Sequence, residues 1–255
     1  MEPTSQNRTE RTARLCAETA LFMRDHVLSR VSHDLRSPLN AIHSWAYVLE
    51  RKIENTDAAA QRALGGIRTG VEQQVRLLET LVDTTRAETR KLRIERAPFA
   101  VAALIGEAVE DARAALGDAR GVTFAVQDTT GAATLDGDRQ RIAQALWLML
   151  VFAAETSAQG TGVTLAASAS ATGAHLEVKW RATRQALTDD ALAHVLEPFA
   201  RAQASEQQEA GRCAWVLALC QRVAEAHGGR FAAPALVGEG EETALVLDVP
   251  PLNGA

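Results

Sequence analysis

The sequence predicts an α+β chain, in which a long antiparallel helical hairpin pairs with a second copy as a four-helix bundle and is followed by an α/β sandwich. Three observations predict this: two long stretches with apolar residues at helical spacing, a polar turn between them, and a change near Leu92 to short β-like runs alternating with shorter helical ones.

The first helix is predicted from Thr9 to Lys52. Val27, Val31, Leu35, Leu39, Ile42 and Leu49 recur at three-, four- and seven-residue spacing. Pro38 interrupts the pattern and is expected to bend the helix locally. Glu54-Asn55-Thr56-Asp57 is polar and turn-forming, with Asp57 placed to cap a second helix from Ala58 to Lys91. That helix carries Ala60, Leu64, Ile67, Val71, Val75, Leu78 and Val82 as its stripe. Residues 9–91 therefore read as one hairpin domain. A lone hairpin leaves one apolar side exposed, and pairing two chains buries it, so a homodimer is expected; packing onto its own chain is the alternative.

Residues 92–255 read as a second domain. β-like runs appear at Leu92–Glu95, Val122–Val126, Val163–Ala167, Leu176–Trp180 and Ala244–Val249. Helical runs at Val101–Leu116, Asp138–Thr156, Asp189–Leu196 and Cys213–Ala226 lie between them, which predicts helices on one face of a mixed sheet. Ala166–Ala174, rich in Ala, Ser and Gly, reads as a hairpin turn with its flanks.

The charge balance excludes some functions. With 27 basic and 32 acidic residues the net charge is −5, which gives no general attraction to nucleic acid or anionic membrane. No basic stripe is interleaved with aromatics. Met1–Arg14 is polar and lacks the apolar core of a signal peptide. No apolar stretch approaches the roughly 20 residues needed to span a bilayer. A cytoplasmic protein without a membrane anchor is expected. Cys16, Cys213 and Cys220 show neither an even count nor CxxC spacing, so Cys213 and Cys220 read as small buried hydrophobes. His26, His43, His175 and His194 share no metal-ligand spacing, and no metal is expected.

The strongest local signal is Ser32-His33-Asp34-Leu35-Arg36-Ser37-Pro38-Leu39-Asn40-Ala41-Ile42. His33 lies about 200° around the helix from Val31 and Leu35, away from the apolar seam, and should face solvent. A neutral imidazole offers one ring nitrogen as a nucleophile while the other holds a proton, which Asp34 or another nearby acid can accept in a hydrogen bond. Ser37 sits one turn on, on the same face, where its hydroxyl can position a water. A His-Asp pair alone is a weak signal, since metal-dependent phosphohydrolases also carry one, but those need further ligands that are not seen here.

This run resembles the phosphoacceptor box of the sensor histidine kinase family. The resemblance implies His33 as phosphoacceptor, Asp34 as the adjacent acid and Ser37 at the phosphatase-assisting position. It extends through the second domain, which then resembles that family's ATPase domain. Asp136-Gly137-Asp138-Arg139-Gln140-Arg141-Ile142 with Gln144-Ala145-Leu146 is similar to the start of its asparagine-bearing helix. Leu196-Glu197-Pro198-Phe199 looks like its F box, and Val223 to Arg230 like the close of its last long helix. Gly238-Glu239-Gly240 and the run ending Asp248-Val249-Pro250 look like its final hairpin.

The nucleotide-binding positions implied by the resemblance do not match. Counting from Arg141 and Gln144, the two asparagine positions hold Leu148 and Phe152. Counting from Val178, the adenine-binding aspartate and two following glycines fall on Trp180, Ala182 and Arg184. Counting back from His227, the three glycines under the phosphates fall on Arg212, Ala214 and Val216, and a one-residue slip brings in only Gly211. Magnesium wants oxygen ligands, tryptophan offers only a donor, and side chains in place of glycine keep phosphate off the backbone. No cofactor is therefore expected. Phe152, Trp180 and Trp215 are expected to fill the vacated pocket as an apolar cluster; scattered core positions are the alternative.

Three functions follow. In the first, His33 exchanges a phosphoryl group with a response-regulator aspartate or a partner kinase, as in histidine phosphotransferases that resemble this layout with a vestigial ATPase-like domain. In the second, an active histidine kinase uses Mg-ATP at a diverged site. In the third, the bundle binds receiver domains without chemistry. The expected partners are a receiver domain, an upstream histidine kinase and a second copy of the chain. Arg36, Arg139 and Arg141 are candidate phosphate contacts, but solvated surface charge is the simpler reading. His227 reads as a helix C-terminal residue favoured by the dipole.

Overall fold

The computed structural model describes residues 5–52, 58–89, 92–170, 173–206, 213–233 and 240–251. The chain divides into two compact units. Arg24–Lys91 forms one, and the residues up to Met23 together with those from Leu92 onward form the other.

The hairpin consists of α1 (Ser5–Lys52) and α2 (Ala58–Thr89). α1 runs through Pro38 as one helix. The turn with its Asp57 cap lies outside the described residues. Ala46 of α1 and Leu64 and Val71 of α2 are buried. Arg68 Nη1 on α2 donates to Glu50 Oε2 on α1 at 2.8 Å. Much of the predicted seam stays open in the single chain: Val31, Leu35, Ile42 and Leu49 are 41–48% exposed, and Trp45 is 68% exposed.

The other unit is an α/β sandwich. β1 (Ala97–Ala100) leads into α3 (Val101–Ala112), which continues through a π-helical turn (Arg113–Gly117) into α4 (Asp118–Arg120). Gly121 ends that run at φ 63, a left-handed conformation that favours glycine at a helix C-terminus. β2 (Thr123–Asp128) and β3 (Thr134–Gly137) precede α5 (Arg139–Glu155). β4 (Gly162–Ser170) and β5 (Gly173–Arg181) are followed by α6 (Gln185–Thr188) and α7 (Pro198–Ser205). A 3-10 turn (Trp215–Leu217) opens α8 (Ala218–Ala226), and β6 (Arg230–Ala232) and β7 (Glu242–Val249) complete the chain of elements.

The main sheet has the order β2-β4-β5-β7-β6, and a two-stranded sheet pairs β1 with β3. β2 runs parallel to β4, while the other pairs are antiparallel, as expected of a mixed sheet. Alternation sets the faces: Val163, Leu165 and Ala167, then Leu176, Val178 and Trp180, then Leu245, Leu247 and Val249 are all buried. α5 packs on β4 and β5 and contacts α3 and α8. Every residue of α5 from Ile142 to Glu155 is buried.

Two predicted elements differ. Leu92–Glu95 is not a strand, although Leu-Arg-Ile-Glu alternates; the strand starts five residues later, where Ala97–Ala100 finds its partner in Thr134–Gly137. Asp189–Leu196 is not a helix. Its backbone is held instead by side chains from elsewhere in the unit, described below, and α7 begins at Pro198, whose fixed φ suits the first helical position.

A polar tie sets where α5 begins. The Asp138 carboxylate accepts from Arg141 N at 3.0 Å, as an N-cap should, and from Glu95 N at 2.9 Å. The Asp138 amide itself donates to His227 Nε2 at 2.9 Å, and His227 Nδ1 donates to Val223 O at 2.8 Å. These partners fix the tautomer with the proton on Nδ1. His227 is therefore a buried link between the end of α8 and the start of α5, which the dipole reading missed. Its ring lies 3.1 Å from where a Cβ on Gly137 would stand, so glycine gives the imidazole room. His227→Ala leaves the buried Asp138 amide unpaired and is expected to cost about 1–3 kcal/mol; a lower urea midpoint for the sandwich, with the hairpin helix signal kept, checks this.

Candidate functional site

α1 carries His33 on its solvent side. The imidazole is 79% exposed, and Nδ1 lies 3.2 Å from Asp34 Oδ1, so Asp34 is the acid the ring meets. With the proton on Nδ1, Nε2 keeps its lone pair. Ser37, one turn on, is also exposed, while Ser32 on the other side of the motif is buried.

The nucleotide positions singled out in the sequence lie in the sandwich, and most are closed. Leu148, Phe152, Trp180, Ala182, Ala214 and Val216 are all at most 5% exposed. Phe152 from α5 and Trp180 from β5 meet edge to face, with ring centroids 6.3 Å apart and planes at 90°. Ala182 is tied to the chain beside it by its amide to Glu241 O at 3.1 Å. Arg184 precedes α6 at its N-cap position without a side-chain capping bond and is half-exposed. Arg212 and Gly211 lie outside the described residues. Trp215 does not join the Phe152–Trp180 pair. It stacks at a tilt on Phe199, with centroids 6.2 Å apart, and its amide donates to Gln203 Oε1 at 2.7 Å. A Gln203 acceptor on α7 and a neighbouring ring draw it there, so the expected three-ring cluster is a pair. Cys220 is buried as expected, but Cys213 is only half-buried.

Next to the ring pair is a polar network that sequence reasoning missed. α5 ends at Glu155, whose side chain is fully buried. Its Oε1 accepts from Val195 N at 2.6 Å and Leu196 N at 2.7 Å, and its Oε2 lies 3.0 Å from His194 Nδ1. Arg120 at the end of α4, also fully buried, donates to the carbonyls of Ala193 at 2.8 Å and Glu155 at 3.0 Å, with longer contacts to those of Ser157 and Ala186. Burial lowers the Arg120 pKa, against which the negative charges of Glu155 and Asp189 act. These contacts hold residues 189–196 in a non-helical path against the end of α5. The one available signal was a lone acid closing an otherwise apolar helix.

The arginines singled out are paired too. Arg141 Nη1 is 3.0 Å from Glu18 Oε2, and Arg139 is bonded to Glu107, so neither is simply solvated charge.

Comparison with known proteins joins these two sites. Residues 23–90 match the His Kinase A (phospho-acceptor) domain, and residues 137–251 match the ATPase family shared by histidine kinases, DNA gyrase B and HSP90. A crystal structure of a histidine kinase from Burkholderia phymatum is 51% identical, covers 94% of this chain and 98% of its own, and superposes with a TM-score of 0.79. This chain belongs to the histidine kinase family. Among histidine kinase relatives, the probable sensor histidine kinase TcrY of Mycobacterium tuberculosis is 28% identical over 86% of this chain and 44% of its own length. The sensor protein DivL of Caulobacter vibrioides is 28% identical over 91% of this chain and 28% of its own length. The chain thus spans less than half the length of these curated relatives. No described helix is long and apolar enough to cross a membrane.

Glu155→Ala strands two buried amides and is expected to destabilise the sandwich by about 3–5 kcal/mol. Chemical unfolding reads the loss, and hydrogen exchange should become fast at Val195 and Leu196 before it does in β4 and β5.

Proposed function

We propose that this chain is a phosphotransfer protein of the histidine kinase family. His33 takes a phosphoryl group from a response-regulator aspartate and returns it to one, and ATP-dependent autophosphorylation has been lost. The observation that carries the reading is the contrast between an exposed imidazole beside an acid and nucleotide positions filled by buried rings.

The chemistry at His33 needs no nucleotide. Nε2 attacks the phosphorus of an aspartyl phosphate, the P–N bond forms, the P–O bond breaks, and the aspartate leaves as a carboxylate. The proton stays on Nδ1, and the Asp34 carboxylate beside it offsets the positive charge the ring gains. The reverse step loads a second regulator. Ser37 lies close enough along the helix to orient a water toward the phosphorylated ring.

The residues present do not suit Mg-ATP. Leu148 and Phe152 offer magnesium no oxygen. Trp180 has a donor where the adenine amino group needs an acceptor. Ala214 and Val216 carry side chains where phosphate would approach the backbone. Phosphoryl transfer from ATP depends on positioning and charge neutralisation, and these positions supply neither. The match of residues 137–251 to the ATPase family favours one other reading, an active kinase that binds Mg-ATP at a diverged site.

Two radiolabelling experiments separate the readings. With labelled ATP and magnesium, wild-type protein is expected to take no label; label on wild type that is absent from His33→Ala would establish the kinase instead. With a labelled phospho-receiver, wild type is expected to take label and His33→Ala none. No uptake from any receiver tested would leave a binding module without chemistry.

The functional form is a homodimer built through the hairpin. The exposed row Val31, Leu35, Ile42 and Leu49, with Ile67 of α2 at 47%, is an apolar face that a second hairpin covers. Sedimentation is expected to give twice the chain mass, and Leu35→Glu to shift it toward the monomer.

A further inference from the structure

Helices pack on one face of the main sheet, and the strand residues that alternate with the buried ones look outward on the other. The register lines up one polar row across that open face. Ser168 on β4 is the partner of His175 on β5, His175 of Asp248 on β7, and Asp248 of Arg230 on β6. Trp180 lies on the opposite face and about 17 Å further along β5, so the row is separate from the ring pair.

The row borders a groove of ≈ 430 Å³, whose lining includes Ser168, His175, Gly228, Gly229, Arg230 and Asp248. That volume suits a small molecule. The glycines that open the groove are imposed by the chain itself. A Cβ on Gly229 would collide with Asp248 O, and one on Gly173, which also lines the groove at φ 124, would collide with Val249 O. The backbone therefore reaches the groove without side chains at these positions.

The polar groups of the row divide by charge. His175 Nδ1 lies 2.6 Å from Asp248 Oδ1, so in the neutral ring the proton sits on that side and Nε2 is an acceptor. Asp248 Oδ2 is the other acceptor of the same carboxylate. The Arg230 guanidinium has no ion pair among the described residues. Elsewhere on the open face Lys179 is already paired with Glu177 at 2.9 Å. The row thus holds one anion and one cation on neighbouring strands, about 5 Å apart at Cα. A simple anion drawn to Arg230 meets the repulsion of Asp248, and a simple cation drawn to Asp248 meets that of Arg230. A zwitterion meets each with the matching sign.

We propose that the row Ser168, His175, Asp248 and Arg230 binds a free amino acid with a short polar side chain. The Arg230 fork takes the α-carboxylate, and the Asp248 carboxylate takes the α-ammonium. The side chain of the ligand runs along the row to His175 Nε2, an acceptor, and to the Ser168 hydroxyl, which both donates and accepts. No step at His33 depends on this site, so it stands or falls apart from the phosphotransfer reading.

The full chain is titrated by calorimetry with L-serine, L-asparagine and L-glutamine in turn. At least one is expected to bind with a Kd of about 1 mM or below. Arg230→Gln and Asp248→Asn are each expected to weaken it at least about tenfold, because either change leaves one end of the zwitterion unmatched. The carboxamide of the bound amino acid, a cation, and its deaminated acid, an anion, are expected to bind at least about tenfold more weakly than the parent.

Urea midpoints equal to wild type keep these losses apart from unfolding. If one variant shifts its midpoint, the other decides, and if both do, the comparison of the parent with its two analogues decides. Three outcomes overturn the site: no binding of any of the amino acids, undiminished affinity in a variant that folds as wild type does, or an amide or deaminated acid that binds as tightly as its parent.

Discussion

A helix buried on every side must be apolar or have its polar groups paired, and α5 is the part of the sandwich that meets this constraint. Sheet lies under it and α3 and α8 contact it, and every residue from Ile142 to Glu155 is buried. An oxygen-bearing side chain in the middle of such a helix needs a partner or a ligand to offset its desolvation. Leu148 and Phe152 need neither, and Phe152 finds the edge of Trp180 instead. Gln144 is buried but bonded to Arg141 and Glu18, and the charged groups lie at the two ends. Asp138 gathers two amides at the start, and Glu155 gathers two more at the finish.

The end of α5 shapes what lies around it. The Glu155 carboxylate and the Arg120 guanidinium share one loop, the acid taking the Val195 and Leu196 amides and the base the Ala193 carbonyl. A segment with no regular structure can be held against a buried helix end when its backbone groups are paired in this way. The hairpin follows the opposite logic. It leaves a row of large apolar side chains uncovered and displays an imidazole in water. One unit buries rings at the nucleotide positions the resemblance implies, while the other leaves its imidazole and an apolar face exposed.

The hairpin and the order of the sandwich were legible because they rest on local pattern. Helical periodicity sustained over α1 and α2 leaves little ambiguity, and the alternating burial of β4, β5 and β7 is plain in the sequence. β3 and β6, four and three residues long, carry too little pattern to be seen. Asp189–Leu196 misled because Leu192 and Leu196 are spaced as in a helix, while Glu155 and Arg120, distant in sequence, decide its path. The same distance hid the network itself. His33, Asp34 and Ser37 could be singled out because they sit in one contiguous run, and Phe152 and Trp180 because they sit at fixed counts from recognisable neighbours. Trp215 was placed wrongly because its partners, Phe199 and Gln203, belong to a helix whose position no local pattern reveals.

The main sheet ends on β2 at one side and on β6 at the other. β6 is only three residues long, and β2 carries exposed Gln127 and Asp128 toward its end. A margin that is short on one side and ends on polar residues on the other is a poor template for another chain's backbone. Crowding many copies in a small volume should therefore multiply encounters without seeding fibres.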